Sequence, residues 1–252
     1  MKRSSFWASL LDLRNKLQFT TKRRGRTIRQ PQVSMTKQLI LIIALCAILV
    51  GFIQDKRPNV LIIGDSISIG YTPFVKLALE DRANVVHNEG NAQHTGTGLE
   101  KLDEYLGDTQ WDVIHFNWGL WDLCYRHPDS KKVGNRDKIK GTVTYTPEEY
   151  RANLESLVIR LQKTGAKLIF ATTSYVPEGE AGRFANAEKI YNKEALAVMK
   201  KYGITVNPLG KISKKVHKKH AAGPGNVHYT KEGSELLSKS VVKYIEKSLV
   251  AN

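Results

Sequence analysis

The chain has 252 residues and a formal charge of +15, a length that carries one sizeable α/β domain with a real core and leaves little room for a second. The charge is concentrated: residues 1–37 hold ten Lys or Arg against the single acid Asp12, which leaves the remainder at only +6 and removes the main argument for a nucleic-acid-binding body. Of the two cysteines, Cys46 lies in an apolar run and Cys124 stands alone after it, so neither an internal disulfide nor a cysteine metal cluster supports the fold.

Residues 1–37 form a basic arm, and the stretch QLILIIALCAILVGFI from Gln38 to Ile53 follows it almost without a polar break. Residues 38–54 suit a signal peptide or a short signal anchor, slightly brief for the roughly 20 residues that span a bilayer. No A-x-A cleavage site is evident, and Leu45 before Cys46 disfavours a lipoprotein box, so cleaved and anchored forms both stay open. The positive flank predicts that the arm remains cytoplasmic and that residues 58–252 are exported: periplasmic, extracellular or held at the membrane by the uncleaved segment.

From Pro58 onward short apolar runs alternate with helical patterns, the signature of βα units around a parallel sheet. Strands are expected at Val60–Ile63, Val85–His87, Val113–Phe116, Leu168–Ala171 and Ile204–Val206. Helices are expected at about 72–82, 96–106, 148–164, 186–202 and 231–248. Together they predict a three-layer α/β/α flavodoxin-like sandwich with a five-stranded parallel sheet, whose chemistry belongs in the loops after the strands.

The first such loop is Gly64-Asp65-Ser66, between an apolar strand and a helix. A serine there presents its hydroxyl at the rim of the sheet, and the helix N-terminus beside it favours developing negative charge, which are a nucleophile's requirements. Helix capping by Asp65 or Ser66 is the plainer alternative. A second element shifts the balance: Asn226-Val227-His228 places a histidine in the loop before the last amphipathic helix, where it can converge on Ser66 and take its proton.

These blocks resemble the SGNH or GDSL hydrolases, esterases and lipases on a flavodoxin-like fold, over about residues 58–248. The likeness includes Gly64-Asp65-Ser66, Asn88-Glu89-Gly90, the block Asn117-Trp118-Gly119-Leu120-Trp121-Asp122-Leu123, and His228. It implies that Ser66 is the nucleophile and His228 the general base. Three positions depart from the family pattern. Gln93 stands where a glycine amide usually serves the oxyanion hole, although any non-proline amide can donate, and the earlier Gly90 is retained. Trp121 replaces the oxyanion asparagine, leaving its indole N–H or Asn117 as candidate donors. Gly225 occupies the position of the triad acid, so a backbone carbonyl or Asn226 is left to orient His228, and a Ser-His dyad is the expected machinery. Asp65, Asp122 and Asn226 are supporting residues. Trp118 and Trp121 are equally open to core packing and to stacking on substrate.

Two polar loops, 127–146 and 176–185, are expected on the active-site side. Their bases, with Arg126, make up a set of Arg126, His127, Lys131, Lys132, Arg136 and Arg183, read either as an attraction for an anionic substrate or as solvated surface. Lys211, Lys214, Lys215, Lys218 and Lys219, with His217 and His220, lack interleaved aromatics and read as an exposed basic loop; no nucleic-acid partner is expected. No phosphate-binding loop, dinucleotide fingerprint or metal-ligand spacing appears, so the chemistry is expected to need no cofactor and no metal. The expectation is a serine esterase acting on a small-molecule or carbohydrate ester through an acyl-enzyme. The alternative is an impaired relative that binds glycan or another envelope partner.

Overall fold

The structure is a computed structural model, and it describes residues 57–250. The basic arm and the apolar segment 38–54 lie outside the described residues. Among the described residues no helix is long and apolar enough to cross a membrane.

Five parallel strands form the sheet: β1 (Asn59–Ile63), β2 (Asn84–His87), β3 (Val113–Phe116), β6 (Lys167–Ala171) and β7 (Thr205–Asn207), in the order β2-β1-β3-β6-β7. β1 pairs on one side with β2, Val60 opposite Val85, and on the other with β3, Val60 opposite Val113. The central strands NVLII, VIHF and KLIFA are largely apolar because both faces of a parallel sheet are covered; every residue of β3, His115 included, is buried. α1 (Ser66–Ala78) and α5 (Leu209–His220) pack against α6 (Lys231–Val250), while α2 (Thr95–Leu106), α3 (Pro147–Gln162) and α4 (Glu188–Tyr202) pack in series as the other layer. The expected three-layer sandwich is present. The strand order reverses between β1 and β3, which puts the crevice at their carboxyl ends, where Gly64 and Asn117 begin their loops.

Three local expectations need correction. The first helix begins at Ser66, not at 72, because Asp65 caps it and Gly70 and Pro73 are accommodated inside. The lysine-rich stretch is helix α5, not a loop: Leu209, Ser213 and His217 recur at helical spacing and are buried, while the lysines occupy the outer face. Within the loop after β3, β4 (Tyr125–Arg126) and β5 (Thr142–Val143) form a small antiparallel ribbon. Cys124, just before it, is free and buried.

Candidate active site

Asp65 adopts an extended conformation at the N-cap of α1, and its Oδ1 accepts from the Ile67 amide at 2.9 Å. Asp65 therefore caps the helix, and Ser66 is its first residue. The Ser66 amide is one of the donors a helix start leaves free, and it has no acceptor among the described residues. Its hydroxyl lies 2.8 Å from His228 Nε2, across 162 residues of chain. The loop carrying His228 is closed by an antiparallel bridge between Ala221 and Tyr229 and by the Ala222 amide donating to the His228 carbonyl at 2.9 Å.

Asn226 settles the histidine tautomer. The His228 amide donates to Asn226 Oδ1 at 3.0 Å, and the same oxygen lies 2.8 Å from His228 Nδ1. A backbone N–H can only donate, so the atom it meets is the amide oxygen, and Nδ1 must carry the proton. Nε2 then presents its lone pair to Ser66. His217 Nε2, 2.6 Å from the Asn226 carbonyl, anchors this turn to α5. The family position for the acid is closed: Gly225 has φ +63°, and a Cβ there would meet the Gly179 carbonyl oxygen at 2.6 Å. Burial holds the His228 pKa below its ordinary 6.5, and the positive charges of Arg183 and Arg136 lower it further against the pull of Glu180.

The other sequence candidates separate. Gln93 sits at φ 50°, in the left-handed region, and its amide donates to Asn91 Oδ1 at 2.8 Å. With Gly90 it lines a neighbouring cavity beside Thr97 and Lys101, while the cavity over Ser66 takes Asn91 instead. Asn117 Nδ2 donates to the Ala171 carbonyl at 2.6 Å and is committed to the sheet. The Gln93 backbone amide and Asn117 Nδ2 are thus both already engaged. Trp118 is core, buried against Phe116 with its indole donating to Ala92 at 3.1 Å. Trp121 lines the cavity, its indole N–H has no partner among the described residues, and the Arg126 guanidinium lies 4.5 Å above its ring. The cavity has a volume of about 250 Å³. A larger groove, about 640 Å³, is lined by Gly165, Ala166, Gly203 and Ile204 before β6 and β7, at the opposite rim, and holds none of these groups.

Asp122 supports the site from beneath. Its Oδ1 accepts from the Thr95 amide at 2.9 Å and the Thr95 hydroxyl at 2.5 Å, tying the start of α2 to the loop after β3. Its other oxygen is buried without a partner among the described residues. Burial pushes its pKa up to about 7, with the Asp65 charge adding to the rise against the Thr95 hydrogen bonds. A carboxyl raised on folding favours the fold while protonated, so this contribution is present at low pH and lost as pH rises through about 7. Urea unfolding is therefore expected to show about 1–3 kcal/mol more dependence on pH between about 5 and 8.5 in the parent chain than in Asp122→Asn, which keeps an acceptor for Thr95 but does not titrate. Equal pH dependence in the two would contradict the assignment.

No protein-family model matches the chain, and no curated protein matches it in sequence. Solved structures do match in three dimensions. A lipase/acylhydrolase from Enterococcus faecalis is 20% identical with a TM-score of 0.60, the match covering 75% of this chain and 96% of that one. A GDSL-like lipase from Bacteroides thetaiotaomicron is 17% identical with a TM-score of 0.55, covering 77% and 90%. The fold is that of the GDSL hydrolases. An acetyl xylan esterase from Geobacillus stearothermophilus shares it at 18% identity and a TM-score of 0.60, covering 75% and 94%.

On this GDSL fold, three residues that take part in the site, Asn91, Glu180 and His217, are not singled out for it by the sequence. Asn91 carried no motif, and it blocks the Gln93 amide. Glu180 carries no motif, yet it is buried and its carboxylate is shared by Arg136 and by Arg183, which is itself buried and so is not the solvated surface that was one of its two readings. His217 read as part of a lysine cluster. Only contacts between distant loops reveal these roles.

Proposed function

We propose that the chain is a serine ester hydrolase of the SGNH type that removes small acyl groups from carbohydrate. The observation that carries this reading is the ordered line from Ser66 Oγ to His228 Nε2 and from His228 Nδ1 to Asn226 Oδ1. Ser66 Oγ attacks the ester carbonyl carbon while His228 Nε2 takes its proton. The resulting oxyanion is held by the Ser66 amide and the Trp121 indole, two donors left free at the cavity. His228 then returns the proton to the departing alcohol, leaving an acyl-enzyme. Water, deprotonated by the same nitrogen, releases the acid and restores Ser66. Asn226 fixes the tautomer but brings no charge to the imidazolium.

The small cavity and polar rim favour a short acyl group on a hydrophilic alcohol, and the shared fold of an acetyl xylan esterase supports the same class. The domain is proposed to work outside the cytoplasm, released or held by residues 38–54, which mass spectrometry of the mature N-terminus tests. Activity is tested by hydrolysis of an aryl acetate: turnover that depends on Ser66 supports the reading, and none in folded protein favours the glycan-binding alternative. Trp121→Phe keeps an aromatic ring under Arg126 and removes the N–H together with the five-membered ring that carries it. It is expected to lower kcat about 10²-fold with little change in KM, the usual cost of one oxyanion donor. An unchanged kcat would remove Trp121 from that role.

A further inference from the structure

The cavity over Ser66 carries more positive charge than cleavage of a neutral ester uses. Of the six bases considered from sequence, Arg126, Arg136 and Arg183 line it. Lys131 and Lys132 are exposed elsewhere on the loop. Against these three guanidiniums stand two carboxylates, Asp65 in the wall and Glu180 buried behind it. Glu180 is saturated: its Oε1 accepts from Arg136 Nη1 at 2.6 Å and Arg183 Nη1 at 3.0 Å, and its Oε2 from the Gly182 amide at 2.6 Å. Asp65 is a weak counterion, because burial favours its neutral form.

Arg126 is left over. It makes no ion pair with a carboxylate among the described residues; one Nη donates to the Gly134 carbonyl, and the guanidinium plane is held over Trp121. A half-buried cation without a counter-charge is costly, and Arg in particular keeps its proton. Stacking and the carbonyl contact fix its direction, so part of its planar fork of donors is already placed at the mouth of the nucleophile's cavity. That geometry matches a carboxylate or sulfate, which such a fork binds through paired N–H groups.

Resting on the esterase reading, we propose that Arg126, backed by Arg136, forms a subsite for an anionic substituent, carboxylate or sulfate, on the carbohydrate whose ester Ser66 cleaves. The preferred substrate is an acylated acidic polysaccharide. Its anion supplies the charge that neither Glu180 nor Asp65 gives to Arg126, and in doing so places the ester carbonyl at Ser66.

The test compares acetate release by the full chain from O-acetylated polygalacturonate, from an O-acetylated sulfated galactan and from O-acetylated xylan, at low and high salt. At least a tenfold preference in kcat/KM for one or both acidic polymers over xylan is expected, and it should shrink as salt rises. Which acidic polymer leads separates carboxylate from sulfate. In Arg126→Gln the preference should fall about tenfold, chiefly through KM, and Arg126→Lys should restore it only in part, because Lys lacks the planar fork. Circular dichroism establishes that the variants are folded. Equal rates on acidic and neutral polymers, or a preference unaltered in folded Arg126→Gln, would overturn the subsite while leaving Ser66-dependent aryl acetate turnover in place. Loss of that turnover in the parent chain would instead overturn the esterase reading, and the subsite with it.

Discussion

Replacing Ser66 with alanine is expected to lower the turnover of an aryl acetate by about 10⁴-fold or more, measured with the full chain under saturating substrate. The size follows from the role proposed for the hydroxyl, as the atom that forms and breaks the bond to the acyl group. Removing a nucleophile of this kind leaves only what binding and oxyanion donors supply. The fold should tolerate the change. Among the described residues Ser66 Oγ bonds to His228 alone, and Asp65 caps α1 without it. A variant that unfolds at the same urea midpoint and retains more than about a tenth of the parent rate would place the nucleophile elsewhere.

The second large effect is expected at Asn226. Asn226→Ala removes the oxygen that holds the proton on His228 Nδ1, frees the imidazole to adopt the unproductive tautomer, and should lower kcat about 10³-fold. Asn226→Asp should act in the other direction. A carboxylate at that place adds the missing charge, so kcat/KM above neutral pH is expected to rise about tenfold. The acid limb of the profile should also move up by about 1–3 pH units. In the parent chain that limb is expected below 6.5, because burial and the neighbouring Arg183 and Arg136 hold the imidazolium down, and activity should be lost as pH falls through it. Placing the acid at the family position should fail. Gly225→Asp forces a side chain into the Gly179 carbonyl at a left-handed φ, and loss of stability without gain of activity is expected. A limb at the same pH in parent and Asn226→Asp would separate His228 from the general base.

Residue 226 also marks how far the sequence could be read. The run from Asn59 into Gly64-Asp65-Ser66 and the histidine before the last helix were legible because each is a local pattern: an apolar strand, a cap, an amphipathic period. Their convergence followed from topology, since parallel strands joined by helices bring loop ends to one rim. Orientation within the rim was not legible. That Asn91 occupies the Gln93 amide depends on a left-handed φ at Gln93, and that Asn117 turns to Ala171 depends on the spacing between β3 and β6. Helix α5 was missed because lysine density masked the buried spacing of Leu209, Ser213 and His217. The arginine wall was visible as residues but not as a circuit, because Glu180 meets Arg136 only when two separate loops fold together.

The most direct measurement is covalent. The full chain is treated with a fluorophosphonate at pH 7.5, digested, and analysed by mass spectrometry. The pairing of Ser66 with His228 predicts one phosphonate per chain on the peptide containing Ser66, and its loss in His228→Ala. Unmodified Ser66 in folded protein, or equal labelling with and without His228, would contradict it.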